Sequence, residues 1–126
     1  MAVRGGRKTL LPVLSGCMLL AGACAQSPAP KGGDPAYLAL DPRAEALARD
    51  TVQEALETAR SKTSLSWRYA EDGSYGEITP LRTYRSSNGY YCREYLEVVT
   101  VSQERQTSRQ RTACRDSDGL WKPVRS

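Results

Sequence analysis

From Arg43 to about Arg60 the chain has no glycine or proline, and its apolar residues recur three and four positions apart. Ala44, Leu47, Ala48, Val52, Ala55, Leu56 and Ala59 fall on one stripe, with Arg43, Asp50, Glu54 and Glu57 facing away. That is the period of an amphipathic helix. Asp41-Pro42 supplies its start, a side-chain acceptor at the cap and a proline in the first turn, where the missing N–H is no loss. The spacing predicts a helix over 41–61.

After Lys62 the period shortens to two. Leu65, Trp67 and Tyr69 alternate with polar residues, and the pairs Asp72-Gly73, Asn88-Gly89 and Asp118-Gly119 recur between apolar runs. Such pairs tolerate positive φ and match the twist of paired strands, so they predict hairpins. Five strands follow, at about 64–70, 75–85, 90–101, 105–116 and 120–124, with Pro123 suited only to an edge. The fold class expected is α+β: one N-terminal amphipathic helix, then a five-stranded antiparallel meander in a small single domain. A turn at Ser102-Gln103-Glu104 sets Val101 opposite Arg105, and the same register sets Cys92 directly opposite Cys114. Opposed residues at a non-hydrogen-bonded pair are close enough for a disulfide; two buried free thiols are the alternative. Alternation leaves open which sheet face the helix covers. Trp67, Ile78 and Val99 share one face, Leu81, Leu96 and Val98 the other, and one bulge would exchange them.

The opening of the chain follows a different pattern. Arg4, Arg7 and Lys8 precede a short apolar run through Leu20, and small residues follow at Ala21-Gly22-Ala23-Cys24-Ala25. A basic start, an apolar core and a small-residue end predict an export signal over 1–25, too short and interrupted for a permanent membrane span. Cys24 and Cys17 both fit a lipid-modified first residue. Leu14-Ser15-Gly16-Cys17 matches the lipobox better but leaves a short apolar core, and cleavage after Ala25 would leave no lipid. Acylation at Cys17 leaves three cysteines in an oxidising compartment, an odd number, so parity favours Cys24. Residues 26–40, with Gln26-Ser27-Pro28-Ala29-Pro30-Lys31-Gly32-Gly33, are expected to form a flexible tether, and 41–126 the domain. The expected address is the outer membrane or periplasm, with the membrane met through a lipid.

Charge changes this picture only slightly. Of 18 basic residues, three lie in the signal, leaving 15 against 14 acidic, so the basic pI carries no argument for nucleic acid. Residues 26–81 hold 6 basic and 9 acidic residues, and 82–126 hold 9 and 5. There is no histidine, which removes the commonest general base and zinc ligand. The cysteines lack zinc-site spacing. The acidic pairs Glu71/Asp72, Glu94/Glu97 and Asp116/Asp118 read mainly as solvated turn acids. No enzymatic activity and no cofactor are expected. One constellation points to binding. Arg105, Arg109, Arg111 and Arg115 share one face of the fourth strand, opposite Val101, Glu97, Tyr95 and Tyr91. Arginine beside tyrosine suits anionic material such as lipid headgroups, lipopolysaccharide or peptidoglycan. A solvated face of weak cross-strand pairs is the plainer reading.

Several of these residues also compose a recognisable series: Tyr75-Gly76-Glu77-Ile78-Thr79-Pro80, then Tyr90-Tyr91-Cys92-Arg93-Glu94-Tyr95, Thr112-Ala113-Cys114-Arg115, and Asp118-Gly119 with Trp121. In order and spacing it strongly resembles the C-terminal domain of the rickettsial-type seventeen-kilodalton outer-membrane surface antigens, over about residues 64–124. The resemblance implies an outer-membrane lipoprotein with no established enzymatic activity. It carries over Cys92 and Cys114 as a pair, and Tyr91, Arg93, Glu94 and Tyr95 as motif residues of unassigned role. The glycine-zipper segment common in that family has no counterpart in Ser27–Leu40. A structural or ligand-presenting envelope protein is the expected function, with an exported hydrolase inhibitor, acting through the Asn88-Gly89 or Asp72-Gly73 turn, as the alternative.

Overall fold

The structure, a computed structural model, describes residues 34–125; the signal, Cys17, Cys24 and residues 26–33 of the expected tether lie outside them. One helix, α1 (Pro42–Thr58), precedes five strands, β1 (Leu65–Tyr69), β2 (Ser74–Arg85), β3 (Tyr91–Val101), β4 (Arg105–Arg115) and β5 (Trp121–Pro123). The strands form one antiparallel sheet in sequence order. The expected α+β meander is therefore the observed one.

Asp41 caps α1 by accepting from the Arg43 N–H at 2.8 Å, and Pro42 stands in the first turn. The buried stripe is Ala44, Ala48, Thr51, Val52, Ala55 and Leu56. Leu47, expected on it, is 37% exposed, because it lies at the rim of the helical face. Thr51 takes the inner position, its hydroxyl donating to the Leu47 carbonyl. The helix ends three residues before the expected limit: Ala59 is already extended and Lys62 has φ +67°. The chain reverses there, and the Lys62 N–H donates to the Pro80 carbonyl at 2.6 Å.

The helix covers the face of Trp67, Ile78, Tyr95 and Val99, leaving Leu96 and Val98 half-buried on the other side. It packs on β1 and β2 and reaches β5, so the two sheet edges curl toward it. A bulge at Leu81, between the pairs Pro80–Tyr95 and Arg82–Glu94, shifts β2 by one residue and hands the inward positions from Pro80 to Thr83. Pro80 is tolerated because β1 pairs only as far as Ile78, so β2 is an edge at that point. Pro123 sits on the edge strand β5, as its missing N–H requires.

Residues 34–40 correct the expected domain boundary. They form a turn packed on the sheet, with Ala36, Tyr37 and Leu40 in the core, rather than a flexible tether. The physical reason is composition: Tyr37, Leu38 and Leu40 give this stretch apolar area that Gln26–Gly33 lacks.

Candidate functional site

The four arginines of β4 face the same side as the helix, and their partners are those the register predicts: Glu97 opposite Arg109 and Tyr95 opposite Arg111. They do not form one open cationic surface. Arg105 is exposed at the β3–β4 turn. Arg115 lies at the far end, paired with Glu57 at 3.0 Å and donating to the Gly119 carbonyl. Tyr91 is 53% exposed beside it, with the Arg85 guanidinium 5.3 Å from its ring. Tyr95 is fully buried. The expected anionic-ligand face is thus divided, because its centre is covered from within the chain.

That centre is a network of four charges. Glu97, 1% exposed, accepts from Arg111 at 3.1 Å and Arg109 at 3.3 Å, and from the Tyr37 hydroxyl. Asp34 bridges the same two arginines from above, one carboxylate oxygen to each Nη1. Asp34 also closes its own turn, accepting from the Ala36 N–H at 3.1 Å on the side chain and the Tyr37 N–H at 2.9 Å on the main chain. Two carboxylates against two guanidiniums make a neutral cluster, the arrangement that lets charges be buried. Burial works to raise the Asp34 pKa, but the hydrogen bond from Arg109, the Ala36 N–H and the two guanidinium charges outweigh it and hold the carboxyl below its ordinary value. Burial works against the charge on Arg109 and Arg111, but their anionic neighbours leave both harder to deprotonate. Burial pushes the Tyr95 phenol up to about 12. Burial, then the charge of Glu97 and the hydrogen bond to it, raise Tyr37 as well, so Tyr37 stays a donor.

The motif residues have structural work. Cys92 and Cys114 are disulfide-bonded at directly paired positions, with Cα atoms 4.0 Å apart. Arg93 passes under the end of α1, donating to the carbonyls of Leu56 at 2.6 Å and Ala59 at 3.0 Å. The last turn of the helix has no basic residue of its own, so Arg93 supplies the positive charge its carbonyl end favours. Glu94 clamps Arg82 across the bulge through two contacts, at 2.6 and 3.2 Å. Gly76 leaves room for Trp67: a Cβ there would lie 2.5 Å from both the indole Nε1 and the Val98 carbonyl oxygen. Thr79 bonds Ser64 at 2.7 Å. Trp121 donates its indole N–H to Glu57 at 2.9 Å, and the Gln53 side-chain amide bonds both the N–H and the C=O of Trp121. Gln53 thereby completes the edge strand as a neighbouring strand would.

Sequence reasoning missed Asp34 and Tyr37, and the role of Arg49, whose guanidinium lies 4.8 Å from the centre of the Tyr37 ring. The available signal was an Asp-Pro turn followed by tyrosine and leucines in a stretch otherwise read as linker. Beside Asp34 a cavity of about 830 Å³ opens to solvent, lined by Arg49, Arg109, Arg111 and Arg125 with Tyr84 and Thr112 among its other walls. Among the described residues no cluster of three or more histidine, cysteine or acidic side chains is arranged to hold a metal, and no helix is long and apolar enough to cross a membrane.

The comparisons with known proteins fall on this same domain. Residues 54–122 match the family described as 17 kDa outer membrane surface antigen. The 17 kDa surface antigen of Rickettsia conorii (strain ATCC VR-613 / Malish 7) is 44% identical over 85 residues, 68% of this chain and 53% of the relative. Those of Rickettsia australis and Rickettsia bellii are 45% identical over 80 residues and 42% over 85. The chain spans about half the length of the curated relatives it matches. No solved structure matches it. The family match covers more than half of the chain, from the last five residues of α1 through the disulfide and Trp121, and the chain therefore belongs to the 17 kDa outer membrane surface antigen family.

Proposed function

We propose that the chain is a cell-envelope surface antigen whose folded part presents a rigid binding face outside the cytoplasm, held to the outer membrane by a lipid on Cys24, with Cys17 as the other acceptor. The observation that carries this reading is the division of labour in the domain. Of the family motif residues, Arg93 and Trp121 tie helix to sheet, Cys92 and Glu94 tie neighbouring strands together, and Gly76 makes room for Trp67. What they leave open is a concave, arginine-rich flank suited to anionic envelope components such as lipid headgroups, lipopolysaccharide or peptidoglycan. The disulfide and the export pattern support a location beyond the cytoplasm. The role is binding and presentation, without chemistry of its own: no histidine is present to act as base or nucleophile partner.

Intact mass spectrometry of the native mature protein tests this. A chain beginning at Cys24, heavier by its acyl groups, with Cys92 and Cys114 oxidised, is expected in the outer-membrane fraction. Full-length chain in the cytosol with Met1 retained and thiols reduced would end the proposal. The second reading, an exported inhibitor of a hydrolase, draws on the Asn88-Gly89 hairpin, where Tyr90 and Tyr91 are 52% and 53% exposed next to the disulfide. Exposed tyrosines on a rigid turn suit a partner's pocket. Co-purification with a peptidoglycan hydrolase, lost on Tyr90→Ser and Tyr91→Ser, would favour it.

A further inference from the structure

The carboxylate of Asp34 lies between Arg109 and Arg111 as a free oxyanion would, each oxygen taking one guanidinium N–H. Paired guanidinium groups present forks that match carboxylate and phosphate oxygens equally well. Three features distinguish this contact from an ordinary structural ion pair. Asp34 belongs to neither helix nor strand but to the short turn at the start of the described chain. The arginines are also paired from below with Glu97 on the neighbouring strand, so β3 and β4 hold them in position without Asp34 while leaving one positive charge unmatched. And the space around Asp34 is an open cavity of about 830 Å³ lined by Arg49, Arg109, Arg111 and Arg125. Arg49 shares its charge with Glu45 at 2.7 Å. Arg125 makes no ion pair among the described residues, and the Arg109 Nε is buried without a partner there.

We infer that this cavity is a binding site for a phosphomonoester, and that Asp34 is its built-in competitor. With Asp34, Glu97 and Glu45 against four arginines, the cavity keeps one positive charge in excess. A phosphomonoester brings nearly two charges and three acceptor oxygens, enough to engage Arg109 and Arg111 together with Arg49 or Arg125. Ligand entry then displaces Asp34, and the apparent affinity is reduced by the fraction of molecules in which Asp34 is already in place. Displacement loosens the turn 34–40, with which the described chain begins. Arg105, Arg115 and Tyr91, which sequence placed on the same face, take no part. The inference rests on the reading that the domain meets anionic envelope material, but not on where the chain is anchored.

The test is calorimetric titration of the full chain in neutral detergent at constant ionic strength, with inorganic diphosphate as probe. Asp34→Asn is expected to bind diphosphate about tenfold more tightly than wild type, within the usual range of coupling between two occupants. Arg49→Gln with Arg125→Gln, two exposed positions outside the buried network, is expected to lose about tenfold in the Asp34→Asn background. Far-UV dichroism and melting checks that each variant is folded. Folded Asp34→Asn that binds no better than wild type would overturn the inference, as would binding indifferent to Arg49 and Arg125. Succinate binding as tightly as diphosphate would overturn the phosphate assignment. A dihexanoyl phosphatidic acid arm, below its micelle concentration, separates the sources: tighter binding than diphosphate assigns a lipid headgroup, equal or weaker binding a soluble phosphate. Failure here with the mature protein still in the outer membrane would remove the site and leave the envelope reading in place. Cytosolic protein with intact binding would do the reverse.

Discussion

Replacing Arg93 by methionine isolates the contact by which the family motif holds α1 to the sheet. The side chain is 7% exposed and has no carboxylate partner among the described residues; its partners are main-chain carbonyls, Leu56 at 2.6 Å, Ala59 at 3.0 Å and, more weakly, Ala55 at 3.5 Å. Burial without a counter-charge makes the guanidinium easier to deprotonate than an ordinary arginine. Against that cost stand two good hydrogen bonds from a charged donor, about 1.5–3 kcal/mol each, and the helix C-terminal dipole, up to about 2 kcal/mol in partly buried geometry. Methionine keeps most of the stem and volume, but no substitution removes the Leu56 and Ala59 carbonyls, which then lose this donor, while Ala55 keeps the Ala59 N–H. With the burial cost recovered, a net loss of about 2–4 kcal/mol is expected for Arg93→Met. Arg93→Lys keeps the charge but not the fork, and should lose about half of that. Urea unfolding followed by the fluorescence of Trp67 and Trp121, with the disulfide kept oxidised, reads both; for a domain of this size the Met variant's midpoint should fall by about 1–2 M. A Met variant within about 0.5 kcal/mol of wild type, or a Lys variant as damaged as the Met one, would refute the clamp.

Four further outcomes follow from the same geometry. Cys92→Ser with Cys114→Ser opens a loop of sequence separation 22 and should cost about 3 kcal/mol, lowering Tm by roughly 12–24 °C in differential scanning calorimetry. Asp34 has a depressed pKa, so its contribution is complete above its ordinary value of 3.8 and is lost as pH falls through the lower folded value; urea midpoints taken downward from pH 4 should fall less steeply in Asp34→Asn than in wild type. Gly76→Ala drives a methyl into the Val98 carbonyl and the Trp67 ring and should destabilise by about 1–3 kcal/mol, seen as a lower melting temperature with changed near-UV dichroism of the tryptophans. Ser102 and Gln103 both hold positive φ, +48° and +62°, without being glycine; Ser102→Asn with Gln103→Gly should raise stability by about 1 kcal/mol in urea, and an unchanged midpoint would mean that the Gln103 side chain over Gly73 offsets the strain.

Whatever is local in this protein can be read from one sequence. The helix follows from alanines and leucines at helical spacing behind an Asp-Pro start, and the hairpins from Asp-Gly and Asn-Gly between alternating runs. The Cys92–Cys114 pair followed too, because an antiparallel register is set by its turn, and every pair along the two strands is then fixed. The bulge at Leu81, which shifts the β2–β3 register by one residue, carries no pattern of its own in the sequence.

Tertiary structure alone decided where charge ends up. Arg109 and Arg111 look like surface cations on a strand whose polar residues alternate with little regard to face. Their neutralisation depends on Asp34, separated from them by 75 and 77 positions, and no periodicity reaches that far. The same holds for Arg93 under the end of α1, 37 positions from Leu56. Pattern and propensity report forces that act within a turn or between adjacent strands. Burial of a charge is settled by whichever segment folds over it, which only the assembled chain determines.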